Sequence, residues 1–148
     1  MMTKKYTLTI TEKQARALMD ACDLLQRIQL GQVREIQDNL PLKKPINYDQ
    51  FHSDMRLIGL ILSHHMIDNI DGNASSLSIG HPSLPESNGI LYDLYCVIRR
   101  KLAVERAVEQ GLIENENVSR TEMPITVDFD TPMKWGLEPI AKMERVND

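Results

Sequence analysis

Residues Lys4 to Gln14 read KKYTLTITEKQ, and the period of the sequence changes at Ile10. Up to that point Tyr6, Leu8 and Ile10 alternate with Lys5, Thr7 and Thr9, which predicts a half-buried strand. Beyond it, Thr11 and Gln14 stand three apart ahead of an apolar stripe, the spacing of a helix capping box. In that motif the hydroxyl accepts from the Gln14 amide and the Gln14 side chain reaches back to the Thr11 amide. A strand that feeds directly into a helix sets the expectation of an α+β fold.

Working outward, the first helix is expected over Glu12 to about Leu30, with Ala15, Leu18, Cys22, Leu25 and Ile28 as its stripe. Gly31 interrupts it, as a kink, a C-cap or a point of close backbone approach. Gln32 to Gln37 fits a short helical piece, and Pro41 and Pro45 make the next stretch a linker. Asn47, with Gln50 three residues on, caps a second helix whose main stripe is Phe51, Met55, Ile58 and Leu62. Leu57, Leu60 and Ile61 widen that stripe, so this helix is expected to be buried on more than one side. The polar loop Asp71 to Pro82 is long enough to suggest function or motion.

Ser83 to Gly111 is the longest helical pattern, opened by a Ser83–Glu86 capping box with Pro85 in the first turn. Ile90 or Leu91, Leu94, Ile98 and Leu102 should face the core, and Gly111 suits a left-handed C-terminal residue. Ile125, Val127 and Phe129 alternate as a second strand, and Ile140 to Val146 offers a weaker third. The expected architecture is a single α+β domain over residues 1–148. Three main helices would pack with a small two- or three-stranded antiparallel sheet formed by the N- and C-terminal segments.

A chain of 148 residues buries roughly 70% of its unfolded surface, enough to fold without a metal or a disulfide. Its 17 basic and 21 acidic residues give a net charge of −4, against a general nucleic-acid binder. No apolar run reaches membrane-spanning length, and MMTKKYTLTITEK lacks the apolar core of a secretory signal, so a cytoplasmic location is expected. In that compartment Cys22 and Cys96 are expected as free thiols, although sequence alone leaves their pairing open.

No Walker A loop, G-x-G-x-x-G, G-x-S-x-G or C-x-x-C pattern is present, so no catalytic residue or cofactor is assigned. His64, His65 and Asp68 place a metal-ligand spacing at the end of the second helix, which a polar, solvated helix end explains better. His81, with Gly80 before it and Ser83 after it, opens the third helix, where free amides suit an anion. Tyr92, Tyr95 and Arg99 lie along one side of that helix, a stacking surface beside a phosphate-binding group. Arg100 and Lys101 fan away from it toward solvent. Arg27 and Gln32 flank the Gly31 break, where freed backbone can meet a ligand or another chain. Asp128 and Asp130 share one strand face, most simply a solvated one.

With TLTITEKQAR (Thr7 to Arg16) and Arg27-Ile28 ahead of Gly31-Gln32 in view, the chain resembles a family of small uncharacterised tailed-phage proteins. Those share an R-I-G-M-G-Q-like segment, an H-P segment and a Y-D-x-Y-x-V-I-R helix. Here the matches are Arg27, Ile28, Gly31 and Gln32; His81 and Pro82; and Tyr92, Asp93, Tyr95, Val97, Ile98 and Arg99. Gln29 and Leu30 depart from the G-M pair. The resemblance implies a phage origin, and an analogy of class with counter-defence sponges of nucleotide signals. Three functions are open on the sequence. The first is a non-enzymatic homo-oligomer that sequesters an anionic nucleotide-like ligand through His81, Ser83, Tyr92, Tyr95, Arg99, Arg27 and Gln32. The others are an inhibitor that binds a host enzyme, and a metal-dependent hydrolase using His64, His65 and Asp68.

Overall fold

The computed structural model describes residues 4–67, 76–114, 139 and 141–146. In chain order these form α1 (Glu12–Gln29), a 3-10 helix (Val33–Asn39), α2 (Tyr48–Ser63) and α3 (Ser87–Glu109). No described residue belongs to a strand, so the α+β expectation is replaced by a helical architecture. Lys4 to Ile10 shows why. A strand must pass its backbone hydrogen bonds to a neighbour, and this segment has no ladder partner among the described residues. Tyr6 and Leu8 are left 89% and 71% exposed, and only Ile10 reaches the core. Ala141 to Val146 is likewise irregular, although Met143 packs beside α1 and α3. The strand expected around Ile125 to Phe129, with Asp128 and Asp130, lies outside the described residues.

The first helix starts where its sequence dictates. Thr11 Oγ1 accepts from the Gln14 amide at 3.3 Å, and the Thr11 amide donates to Gln14 Oε1 at 2.9 Å, which completes the capping box. One turn on, Arg16 hydrogen-bonds Glu12, and that bond together with its charge holds the Glu12 carboxyl below the usual range. The helix ends in a Schellman motif: Gly31 donates to Ile28 O and Gln32 to Arg27 O, with Gly31 at φ 89°. Gly31 is therefore a C-cap glycine. Gly111 closes α3 the same way, donating to Val108 O while Leu112 donates to Ala107 O.

α3 starts later than expected. Ser83 does not cap it; Ser87 is the first helical residue, and Glu86 precedes it without a side-chain cap bond. The reason is Pro85, whose ring disfavours helical geometry at Leu84, so a box from Ser83 to Glu86 would contain a non-helical residue. The helix forms after the proline, with the Asn88 amide donating to Pro85 O.

α1 packs along α3, and this pair holds the core: Ala15 of α1 meets Ile98 and Leu102 of α3. Val104, Ala107 and Ile113 continue it beneath the end of α3. A third cluster joins Leu30 to Leu77, with Met66, Ile79 and Leu84 packed on it. On α1 the buried line runs Ala15, Cys22, Gln26 and leaves Leu18 and Leu25 exposed. Asn88 of α3 lies opposite Gln26 and donates to its backbone carbonyl.

Among these elements α2 touches only the 3-10 helix, with His52 Nδ1 3.3 Å from Gln37 Oε1. Met55 and Gly59 are buried, while Leu57, Ile58, Leu60, Ile61 and Leu62 are all exposed. The expectation of a helix buried on several sides is overturned: one narrow stripe is covered and the remaining apolar surface faces outward. No helix among the described residues is long and apolar enough to cross a membrane.

Candidate functional site

The end of α1, the middle of α3 and the segment after residue 75 meet around Arg27. Arg27 Nε donates to Asp23 Oδ2 at 2.8 Å, one turn back on the same helix. Its Nη1 donates to Gln32 Oε1 at 3.3 Å and lies 3.9 Å from Glu35 Oε1 on the 3-10 helix. Gln32 is placed by the Schellman turn and passes its own Nε2 hydrogen to Ser76 Oγ at 3.3 Å. The Leu77 amide donates to Leu30 O at 2.9 Å, which lays this segment over the end of α1. Two sequence candidates, Arg27 and Gln32, are thus joined directly.

The α3 candidates form a second line beside the first. Tyr92 and Tyr95 have ring centres 6.1 Å apart, and the Arg99 guanidinium carbon lies 5.7 Å from the Tyr95 ring centre. The latter is a cation–π distance. Burial pushes the Tyr95 hydroxyl above its ordinary range; Arg99 pulls it down, Asp23 raises it and Arg27 pulls it down again. Charges on α1 therefore act on an α3 tyrosine, the one beside which Arg99 lies. Partial burial works against the charge of Arg27, but Asp23, Glu35 and Tyr95 outweigh it and raise its pKa.

His81 and Ser83 are built into their own turn. The His81 amide donates to Ser78 O, the Leu84 amide to His81 O, and the Ser83 amide to His81 Nδ1 at 3.2 Å. Gly80 enters this turn at φ 83°. His81 accordingly uses a ring nitrogen to hold local backbone, and Ser83 lies ahead of α3 rather than at its N-cap.

Sequence reasoning missed the residues that pin the site together. Asn88 is 1% exposed; its Nδ2 donates to Gln26 O at 3.0 Å and to Gln29 Oε1 at 3.2 Å. Gln29 in turn donates to Ser87 Oγ at 3.0 Å. Asp23 was findable as the acidic residue one turn before Arg27. Asn88 had a weaker signal, a polar residue on the inward side of an apolar helix. Lys101, expected to be solvated, is 15% exposed at its side chain and lies 3.3 Å from Glu105 Oε1. That ion-pair contact leaves the buried oxygen without an aligned hydrogen bond.

The arrangement provides two guanidinium groups, a neutral phenol and a second aromatic ring, which suits binding. It holds no activated nucleophile. Cys22 is buried, its thiol is pushed up by desolvation, and a protonated buried thiol is inert. Neither Cys22 nor Cys96 forms a disulfide. Among the described residues no three His, Cys, Asp or Glu side chains converge as metal ligands. His64 and His65 are exposed just beyond α2, and Asp68 lies outside the described residues. Compared with known proteins, the chain matches no family model, no curated protein and no solved structure.

Proposed function

We propose that this is a non-catalytic binding protein whose ligand is a small anion of the nucleotide type, held where Arg27, Tyr95 and Arg99 converge. The observation that carries the reading is that Tyr95 lies under the charges of Arg27 from α1 and Arg99 from α3. Two guanidinium groups from different helices suit a phosphate, which each can grip in a fork. Arg27 is already balanced by Asp23 and Glu35, so an incoming phosphate must displace one of them. Glu35 is the weaker hold, at 3.9 Å and with a 43% exposed side chain, while Asp23 sits at hydrogen-bond distance. Tyr92 and Tyr95 offer ring faces for a base, and Gln32 and Ser76 add polar groups at the rim. The resemblance to small tailed-phage proteins rests on these same residues and suggests a setting. A phage protein of this kind would act in the host cytoplasm, removing a nucleotide signal by sequestration.

Calorimetry of the full chain against cyclic nucleotides and ADP-ribose derivatives tests the reading. One member of the panel should bind at micromolar concentration or tighter. Arg27→Ala and Arg99→Ala should each weaken that binding at least tenfold while leaving the helical content intact. Silence across the panel at ~100 μM protein would overturn it, since affinities below that range supply little useful sequestration.

A further inference from the structure

We infer that the outward face of α2 is a self-association surface, on which a second copy of this chain packs its own α2 antiparallel about a two-fold axis level with Gly59. This rests on a different observation from the ligand reading and stands or falls separately. From Leu57 to Ser63 the sequence LIGLILS carries no charge. In the fold, Met55 and Gly59 take the covered side of α2. Leu57 and Ile61 stand on the opposite side of the helix, each 56% exposed, with Leu60 and Ile58 exposed on its two flanks. Four large aliphatic side chains on one helix form a patch of roughly a few hundred Å², within the range of the largest patch on a monomer surface. A two-fold dimer counts that patch twice, a buried total below ~1,200 Å², in the range of weak, reversible association.

The polar residues that bracket this face identify the partner. The outward face reads Asp54, Leu57, Ile61, His64, which is symmetric in spacing about residue 59, with an imidazole at one end and at the other a carboxylate whose Oδ1 accepts from Gln50. A two-fold contact is isologous, so every residue must suit its own counterpart on the same surface. Antiparallel pairing about Gly59 places Leu57 against the partner's Ile61 and Asp54 against the partner's His64, twice over. A parallel pairing would instead set Asp54 against Asp54. The His64 side chain, a metal-ligand candidate by spacing alone, becomes the hydrogen-bond partner of a carboxylate.

Sedimentation of the full chain should give a dimer, twice the 16.9 kDa chain mass, at micromolar concentration. Leu57→Asp with Ile61→Asp should raise the dimer dissociation constant at least 100-fold. The residues involved are exposed, so the circular dichroism should not change. If it does, Leu57→Ser alone serves as the milder variant, expected to weaken the dimer at least tenfold. Orientation is read by cysteine cross-linking, with the bonded pair assigned by peptide mass. A mixture of Asp54→Cys and His64→Cys chains should form the 54–64 disulfide, and neither chain alone should link through its new cysteine. In the antiparallel register the two copies of residue 54 are ~15 Å apart along the axis, beyond the ~7 Å limit for a disulfide. A monomer at 100 μM, a dimer indifferent to Leu57 and Ile61, or a 54–54 disulfide in the single-variant chain would each overturn the proposal. So would a different protein bound to this face while the chain itself stays monomeric.

Discussion

Asn88 joins the two principal helices through one side-chain amide. Its Nδ2 hydrogens go to Gln26 O and Gln29 Oε1, and its Oδ1 is buried without a partner. Truncation by Asn88→Ala should cost about 1–3 kcal/mol in urea unfolding, because the buried acceptors on α1 lose their donor. Asn88→Asp should cost more than Asn88→Ala, since it sets a carboxylate against a carbonyl with no donor between them. The same buried region makes stability fall in alkali. Cys22 and Tyr95 both have folded pKa values raised above their ordinary 9.0 and 10.0, chiefly by desolvation. The unfolded chain releases these protons first, so between the unfolded and folded values it binds fewer protons than the native state, and stability drops as pH rises. The contribution is intact below pH 9 and is lost as pH climbs through the raised values. Thermal melts at pH 7, 9 and 10.5 should show a falling midpoint, and Cys22→Ala should flatten the first part of that fall.

At the scale of elements, the ends of the helices are fixed by local chemistry. Thr11→Ala should destabilise the protein by ~1 kcal/mol through loss of the α1 cap, read as a shift in the urea midpoint. Gly111→Ala should cost ~1–2 kcal/mol from its left-handed backbone alone, because a Cβ there meets nothing within 4 Å. These positions were legible in the sequence because capping depends on neighbours in the chain. The strand at Lys4 to Ile10 was misread because alternation signals a strand only when a second strand accepts its hydrogen bonds, which no seven-residue window contains. Ser83–Glu86 carries the same spacing as Thr11–Gln14, yet Pro85 between them vetoes the motif. The α1 stripe was misread at Leu25 and Gln26 for a tertiary reason: the side of α1 that meets α3 is the one carrying Gln26, whose backbone carbonyl accepts from Asn88, 62 positions away. Of the candidate site, the i, i+3, i+7 line of Tyr92, Tyr95 and Arg99 followed from helix geometry. Its approach to Arg27 required knowing that α1 lies along α3.

Across the whole molecule the helices are unequally anchored. α1 and α3 share the core, whereas α2 meets only the 3-10 helix among the other elements and is further tied by Met66 just beyond its end. Local opening free energies follow buried contact, so α2 should open without the rest of the fold. Amide hydrogen exchange should then show two tiers. The α1 and α3 amides, including Ile98 and Leu102, should exchange at the rate set by global unfolding. Those of α2 should exchange faster in dilute solution, apart from the frayed helix ends. Self-association adds a dependence that a monomer cannot have. A partner that binds closed α2 but not its open form stabilises it by mass action, so protection should grow with protein concentration. Raising the concentration 100-fold above the dissociation constant adds about 2.7 kcal/mol to closure, roughly a hundredfold slower exchange. In the Leu57→Asp, Ile61→Asp variant α2 should keep the fast tier at every concentration while α1 and α3 remain unchanged. Uniform protection of all three helices at every concentration would mean that α2 is held within one chain, and that its exposed leucines and isoleucines serve no partner copy.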